Sequence, residues 1–266
     1  VNNRKNVFFY YAKSDELEEK LSPVFEHVEK SGFSIVKEAK DANIVVSVGG
    51  DGEFLQAVRH TEFSQDCLYV GMTKEDEAGL YCDFQLDRYV DMIHAMKDEA
   101  IEVRRFPVVD VTINGESTFH FLNEATIRSA IIKTIVMDVY IDEAHFERFR
   151  GDGLIVATPT GSTGYNKSTT GAVIDPKIPC FQVSELASIN NNRYRTLGSS
   201  FILNQDRTLR IEVIQDGNDY PIIGLDNEAY SIRNIKSITI KLSDKRIKTV
   251  KLKNNSFWDR VKRTFL

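Results

Sequence analysis

Three clusters of residues in this 266-residue chain have the types and spacing to do chemistry. The first is Gly49-Gly50-Asp51-Gly52, in which three glycines surround one carboxylate directly after the β-branched run at residues 44–48. Glycine bends the backbone freely and leaves its N–H open to a phosphate, and a helix N-terminus behind it adds partial positive charge. Phosphate repels a carboxylate, so Asp51 needs another task in such a cradle, such as accepting a proton or orienting a hydroxyl. The plainer reading is a strand-to-helix turn whose Asp caps the helix. The second cluster is Asn123-Glu124, an amide beside a carboxylate at the end of the apolar run 119–122; the pair can read hydroxyls and an exocyclic amine, or be a surface turn. The third and densest runs from Phe149-Arg150-Gly151-Asp152-Gly153 to Ser168. There Thr160, Ser162, Thr163 and Ser168 offer hydroxyls to ribose or phosphate oxygens, Gly161 and Gly164 admit close backbone approach, and Tyr165 offers a face for stacking.

The elements that must hold these clusters follow from periodicity. Residues 7–11 read as a strand, and Ser14, Asp15 and Glu16 open a helix with Leu17, Leu21, Val24, Phe25 and Val28 on one face, kinked or restarted at Pro23 and ended by Gly32. Residues 33–36, 44–48 and 68–72 supply further strands, with a helix after the glycine turn and another marked by Leu86, Tyr89, Val90, Ile93 and Met96. Strand and helix alternate through the first hundred residues, which is the pattern of a parallel α/β sheet. From Ile101 the rhythm becomes strand after strand. Residues 108–113, then Asn114-Gly115, then 117–122 form a hairpin signature, and 135–141, 154–157, 209–214 and 237–242 add strands. A domain boundary is therefore expected near residue 100. The segment 257–265 has apolar residues at helical spacing and reads as a docking helix with its basic residues in solvent.

Composition narrows the partners. With 42% hydrophobic residues the chain can bury a substantial core, and a net charge of −5 without a basic block argues against a nucleic-acid surface. No apolar run has the length of a membrane span, and Val1-Asn2-Asn3-Arg4-Lys5 lacks the apolar centre of a signal peptide, so the expectation is a cytoplasmic protein with small-molecule partners and no membrane. Cys67, Cys82 and Cys180 have neither zinc nor disulfide spacing.

Taken together, Gly49-Gly50-Asp51-Gly52, Asn123-Glu124 and Gly151-Asp152-Gly153 followed by Thr158-Pro159-Thr160-Gly161-Ser162-Thr163-Gly164-Tyr165 resemble the NAD kinases in order and spacing. The likeness extends to Ala187-Ser188-Ile189-Asn190-Asn191 and Tyr194-Arg195-Thr196, similar to that family's subunit-contact segment, and is strongest to the compact bacterial type. The resemblance implies a Rossmann-like α/β domain (residues 1–100 and about 243–266) and a β-rich NAD-binding domain (101–242), with the C-terminal tail returning to the first. It also implies a homotetramer, or at least a dimer, ATP as phosphoryl donor, a divalent metal ion such as Mg2+, and the 2′-hydroxyl of the adenosine ribose of NAD as acceptor. By the same likeness Asp51 is the catalytic aspartate and Gly49, Gly50 and Gly52 form the phosphate cradle. Asn123 and Glu124 hold the ribose and nicotinamide portions, Asp152 lies near the nicotinamide amide, and Arg150 and Thr160 belong to the same NAD site. Thr163, Gly164, Tyr165 and Ser168 form the adenine and ribose pocket. Leu80 and Tyr81 stand where the family has an aromatic pair over adenine, Ala187, Ile189 and Tyr194 reach a neighbouring subunit's site, and Asp226 lies near the ribose.

Two positions depart from the family pattern. Glu53 replaces the usual Thr after the glycine turn and puts a negative charge beside the triphosphate, and Lys74-Glu75-Asp76-Glu77-Ala78-Gly79 replaces a glycine-rich loop. They keep open a catalytically silent dinucleotide sensor as one alternative. A lipid or sugar kinase sharing the glycine-aspartate turn is the other, opposed by Asn123-Glu124 and the 161–165 segment. No G-x-G-x-x-G follows the first strand, which disfavours a dehydrogenase.

Overall fold

The computed structural model describes residues 5–74, 79–97, 101–214, 221–231, 234–253 and 255–266. The chain divides into two units, one made of residues 1–106 and 245–266, the other of 107–244.

The first unit is α/β. Strand β1 (Asn6–Tyr11) is followed by α1 (Asp15–Lys30), the short β2 (Ser34–Ile35), β3 (Ile44–Gly49), α2 (Asp51–His60), β4 (Leu68–Thr73), β5 (Cys82–Gln85) and α3 (Tyr89–Lys97). The Ser14 side chain accepts the Leu17 N–H and starts α1, and Asp15, Glu16 and Glu18 suit its positive end. Pro23 does not restart the helix: α1 runs through it as one element, because Leu17, Leu21, Val24 and Val28 bury a single continuous face. Burying four such side chains at about 1.5–3 kcal/mol each outweighs the ~3 kcal/mol that an interior proline costs. That face packs on Val7, Phe9, Val46, Val48, Val70 and Met72, with Met92 and Ile93 of α3 in the same core. β3 pairs in parallel with β1 on one side and β4 on the other, and Gly49 stands opposite Thr73 at the carboxyl ends.

The second unit is antiparallel. β6 (Ile101–Ile113) enters it from the first unit and turns at Asn114 and Gly115, both in the left-handed region, into β7 (Ser117–Phe121). Next come β8 (Glu124–Ser129), β9 (Ile135–Ile141), β10 (Ala144–Gly151), β11 (Gly153–Ala157), β12 (Cys180–Leu186), β13 (Phe201–Asn204), β14 (Thr208–Val213), β15 (Pro221–Leu225) and β16 (Glu228–Ser231). One sheet has the order β13-β12-β11-β8-β15-β16. The other layer is built around β10, β9 and β14, and residues from both layers share one core that includes Val111, Phe121, Ile127, Met137, Phe149, Val156, Phe181 and Ile211.

β17 (Ser237–Leu252) leaves this unit and completes the first. It pairs antiparallel with β14 through residues 237–241 and then in parallel with β4 through Lys248 and Thr249. The helix α4 (Phe257–Phe265) follows, started by a reciprocal cap between Ser256 and Asp259. No helix among the described residues is long and apolar enough to cross a membrane.

Candidate active site

In the α/β unit the buried strand β3 stops at Gly49, and α2 begins at Asp51 with no side chain capping it. Its first N–H groups therefore point outward beyond the carboxyl edge of the sheet, which is where open α/β sheets bind ligands. Asp51 does not cap the helix. Its carboxylate instead accepts the N–H of Leu80 at 2.7 Å and of Tyr81 at 2.9 Å, from the segment entering β5. Burial pushes the Asp51 carboxyl above its ordinary range, while those two N–H donors, the Arg260 guanidinium and the Cys82 thiol pull it back down. A side chain at Gly79 would place its Cβ 2.6 Å from an Asp51 oxygen, so glycine is needed there for the segment to close on the carboxylate. The Glu53 side chain folds back over the turn, lying where a Cβ on Gly49 would stand. Tyr81 is 1% exposed, with its ring stacked on Phe54 at 4.8 Å, so what it presents to Asp51 is its N–H and not its ring; Leu80 beside it is part-exposed. Residues 75–78, the acidic part of the loop before it, lie outside the described residues.

In the β-rich unit Asn123 and Glu124 open β8, and Asp226 holds them in place. Its carboxylate accepts the N–H of Leu122 at 3.1 Å and of Asn123 at 2.6 Å, and its own N–H donates to the Glu124 carbonyl at 2.8 Å. Burial, with Asp226 adding like-charge repulsion, raises the Glu124 carboxyl to about 8, and its Oε2 is buried with no hydrogen-bond partner. Gly161 is forced by this packing: a Cβ there would sit 2.0 Å from the Asn123 carbonyl oxygen. The neighbouring hydroxyls are spent inside the loop. Thr158 and Thr160 donate to the Leu122 carbonyl at 2.6 and 3.1 Å, Ser162 to the Pro159 carbonyl at 2.6 Å, and Thr163 to the Thr160 carbonyl at 3.2 Å. Gly164, Tyr165 and Ser168 are among the residues that the loop exposes, with the Tyr165 hydroxyl 3.4 Å from Arg128.

A third group lies at the ends of β10 and β12. Arg150 donates to Thr134 at 3.0 Å and to the Tyr194 hydroxyl at 3.2 Å and lies over the Tyr194 ring, while its carbonyl accepts the Ile189 N–H at 2.7 Å. Tyr194 is thereby buried within its own chain, whereas Ala187, Ile189 and Asp152 are exposed.

A family model described as the ATP-NAD kinase C-terminal domain matches residues 122–252. The NAD kinase 2 of Bacillus subtilis (strain 168) is 60% identical over the whole length of both chains. The chain belongs to the NAD kinase family. The NAD kinase 2 of Oceanobacillus iheyensis is 59% identical over 99% of each chain. Among solved structures, an NAD kinase from Archaeoglobus fulgidus in complex with ATP superimposes with a TM-score of 0.77 at 23% identity, covering 97% of this chain and 98% of that one. A yeast NADH kinase complexed with NADH gives 0.81 at 16% identity, covering 98% and 87%. At those identities the structures establish the shared fold.

Several residues that shape the candidate site carry no assigned role in the sequence analysis. Thr158 anchors the 158–164 loop on Leu122, Asn166 takes up the Ser184 hydroxyl at 2.7 Å beneath it, and Gly79 closes on Asp51. Arg260 entered only as one of several basic residues in a terminal helix. Among the described residues no group of three or more His, Cys, Asp or Glu is arranged to hold a metal ion.

Proposed function

We propose that Asp51 is the general base with which this NAD kinase transfers the γ-phosphoryl group of ATP to the 2′-hydroxyl of the adenosine ribose of NAD, giving NADP and ADP. The observation that carries this reading is the Asp51 carboxylate itself, fixed by two backbone N–H groups at the start of a helix whose cap is glycine. Phosphoryl transfer asks a protein to position the reactants, offset charge and guide the nucleophile's proton. A ribose hydroxyl is far too weak an acid to give up its proton before attack, so the proton moves late, as the O–P bond forms. A carboxyl raised above its ordinary range is a better acceptor at that moment.

Gly49, Gly50 and Gly52 supply the N–H cradle for phosphate. Asn123 and Glu124 hold the ribose and nicotinamide portions, with Asp226 acting through them. Asp152 lies near the nicotinamide amide, and Gly164, Tyr165 and Ser168 line the adenine and ribose pocket, shaped by Thr160 and Thr163 from behind. Leu80 covers the adenine. A divalent cation such as Mg2+, when bound, would be held on the ATP phosphates and would offset charge on the transferred group. The enzyme works in the cytoplasm as a homotetramer, in which Ala187, Ile189 and the Arg150–Tyr194 pair meet a neighbouring subunit's site.

The test is a coupled assay of NADP formation. Asp51→Asn keeps the shape of the side chain but accepts no proton, so kcat falls by roughly 10²- to 10⁴-fold. The Kd for NAD measured calorimetrically stays within about tenfold. A variant that keeps the wild-type kcat and loses NAD binding would show Asp51 to be a binding residue instead.

A further inference from the structure

The helix α4 carries one residue that neither solubility nor helix capping explains. Arg260 is fully buried, and its Nη1 lies 3.3 Å from both oxygens of Asp83. Asp83 is itself inaccessible to solvent and is also bound by Arg104 and Asn255. The Asp83 carboxylate is thus heavily donated to, while the Nε and Nη2 of Arg260 have no hydrogen-bond partner. A buried guanidinium left with two idle nitrogens is costly unless its charge is offset. Asp83 is its contacting partner, and Asp51 is a second carboxylate that its charge attracts; Asp83 lies two residues beyond the Tyr81 N–H on which Asp51 rests.

We propose that Arg260 is a positioning residue for Asp51: its charge holds the Asp51 carboxyl ionised, and its grip on Asp83 fixes the Leu80–Tyr81 backbone that holds that carboxyl in place. The inference rests on the reading of Asp51 as the base for its catalytic meaning, but not for its physical content. The other charged or titratable groups around the pair are Glu53 on the helix of Asp51, Cys82 and Asp83 on β5, Arg104 on β6, and Arg263 on α4. Cys82 is kept as a neutral thiol by burial and by the neighbouring acids, so it does not replace the charge of Arg260.

The experiment is a carboxyl 13C NMR titration of the ligand-free, full-length protein, with the Asp51 signal assigned by its loss in Asp51→Asn. Arg260→Gln raises the Asp51 pKa by about one unit or more, the size expected for losing an opposite charge. The acidic limb of the kcat/KM profile for NADP formation moves with it, while the Kd for NAD changes less than about twofold, a difference of ~0.4 kcal/mol. Arg260→Lys keeps the charge and restores most of both, which a purely structural anchor would not do. In the wild-type protein the Arg260 Nε–H resonance follows the Asp51 titration and is silent over that range in Asp51→Asn, a readout that does not require any Arg260 variant to fold. An Asp51 pKa unmoved by Arg260→Gln, or an Arg260 resonance blind to Asp51, overturns the proposal. Wild-type kcat in Asp51→Asn would instead overturn the general-base reading, with the NMR titration still deciding on Arg260.

Discussion

Glu53 in the α/β unit and Glu124 in the β-rich unit each place a single carboxylate among the candidate site residues of its own unit. Glu53 folds over Gly49, so a triphosphate seated on this turn, as proposed, would meet its like charge. Replacing it with Thr, the usual residue of the family, is expected to lower the KM for ATP more than that for NAD, by several-fold in steady-state assays across donor concentrations. An unchanged or higher KM would mean that Glu53 helps the donor, through a cation. Glu124 makes a prediction about stability. Its folded-state pKa of about 8 lies above its ordinary value of 4.5, so between those limits the folded protein binds a proton that the unfolded chain has released. Stability from this group is therefore full below about pH 4.5 and declines as pH rises to about 8. Glu124→Gln removes that decline. In thermal melts without ligand, the variant should gain on the wild-type steadily from pH 5 to 8, with part of the slope remaining from Glu147, whose carboxyl burial raises to about 7.

The elements around these residues were legible in the sequence to different degrees, and the reasons are physical. β3, α2 and the β6–β7 hairpin announce themselves because their burial pattern or turn residues admit one reading, as Asn114 and Gly115 do with their left-handed backbone. β12 does not, because Gln182 and Ser184 are polar yet buried: they turn to the 158–172 loop, where Gln182 accepts the Ala172 N–H and Ser184 meets Asn166. β17 was legible only to residue 242, since Asp244-Lys245-Arg246 reads as a loop although it lies within the strand, where the chain passes from one unit to the other. In the site itself, the hydroxyls of Thr160, Ser162 and Thr163 looked like ligand donors, but composition cannot say that the loop's own carbonyls would claim them. That makes the loop a rigid element, and its tightest point is testable. Gly161→Ala would drive a Cβ into the Asn123 backbone, so NAD affinity should fall at least tenfold and Tm should drop, whereas Gly115→Ala, where a Cβ meets open space but a positive φ, should cost stability alone, about 1 kcal/mol.

For the whole molecule, family and fold class were readable from three short motifs because their order along the chain is the order in which the α/β unit and the β-rich unit contribute them. A ligand held only by the folded protein stabilises it by mass action. NAD at 100 times its Kd is worth about 2.7 kcal/mol. At roughly 2–4 °C per kcal/mol for a chain of this size, Tm should rise by about 5–10 °C. A melt that does not move at millimolar NAD would remove the dinucleotide pocket from the β-rich unit.

The division of the α/β unit into residues 1–106 and 245–266 also sets the order of events during synthesis. A nascent chain emerging from the ribosome presents the β-rich unit whole, as one contiguous stretch, before the strand that pairs with β4 through Lys248 and Thr249 has been made. Until then β4 lacks its partner at Leu68 and Tyr69, beside the stretch that β5 already covers, and the Asp83 carboxylate lacks Arg260 and Asn255. A translation-arrested chain ending at residue 244 thus leaves the start of β4 unpaired on one side, and exposed strand edges of that kind are what chaperones hold. The helix carrying Arg260 comes after the β-rich unit in the chain, so the hold on Asp83 proposed to position Asp51 forms only once that unit has been made.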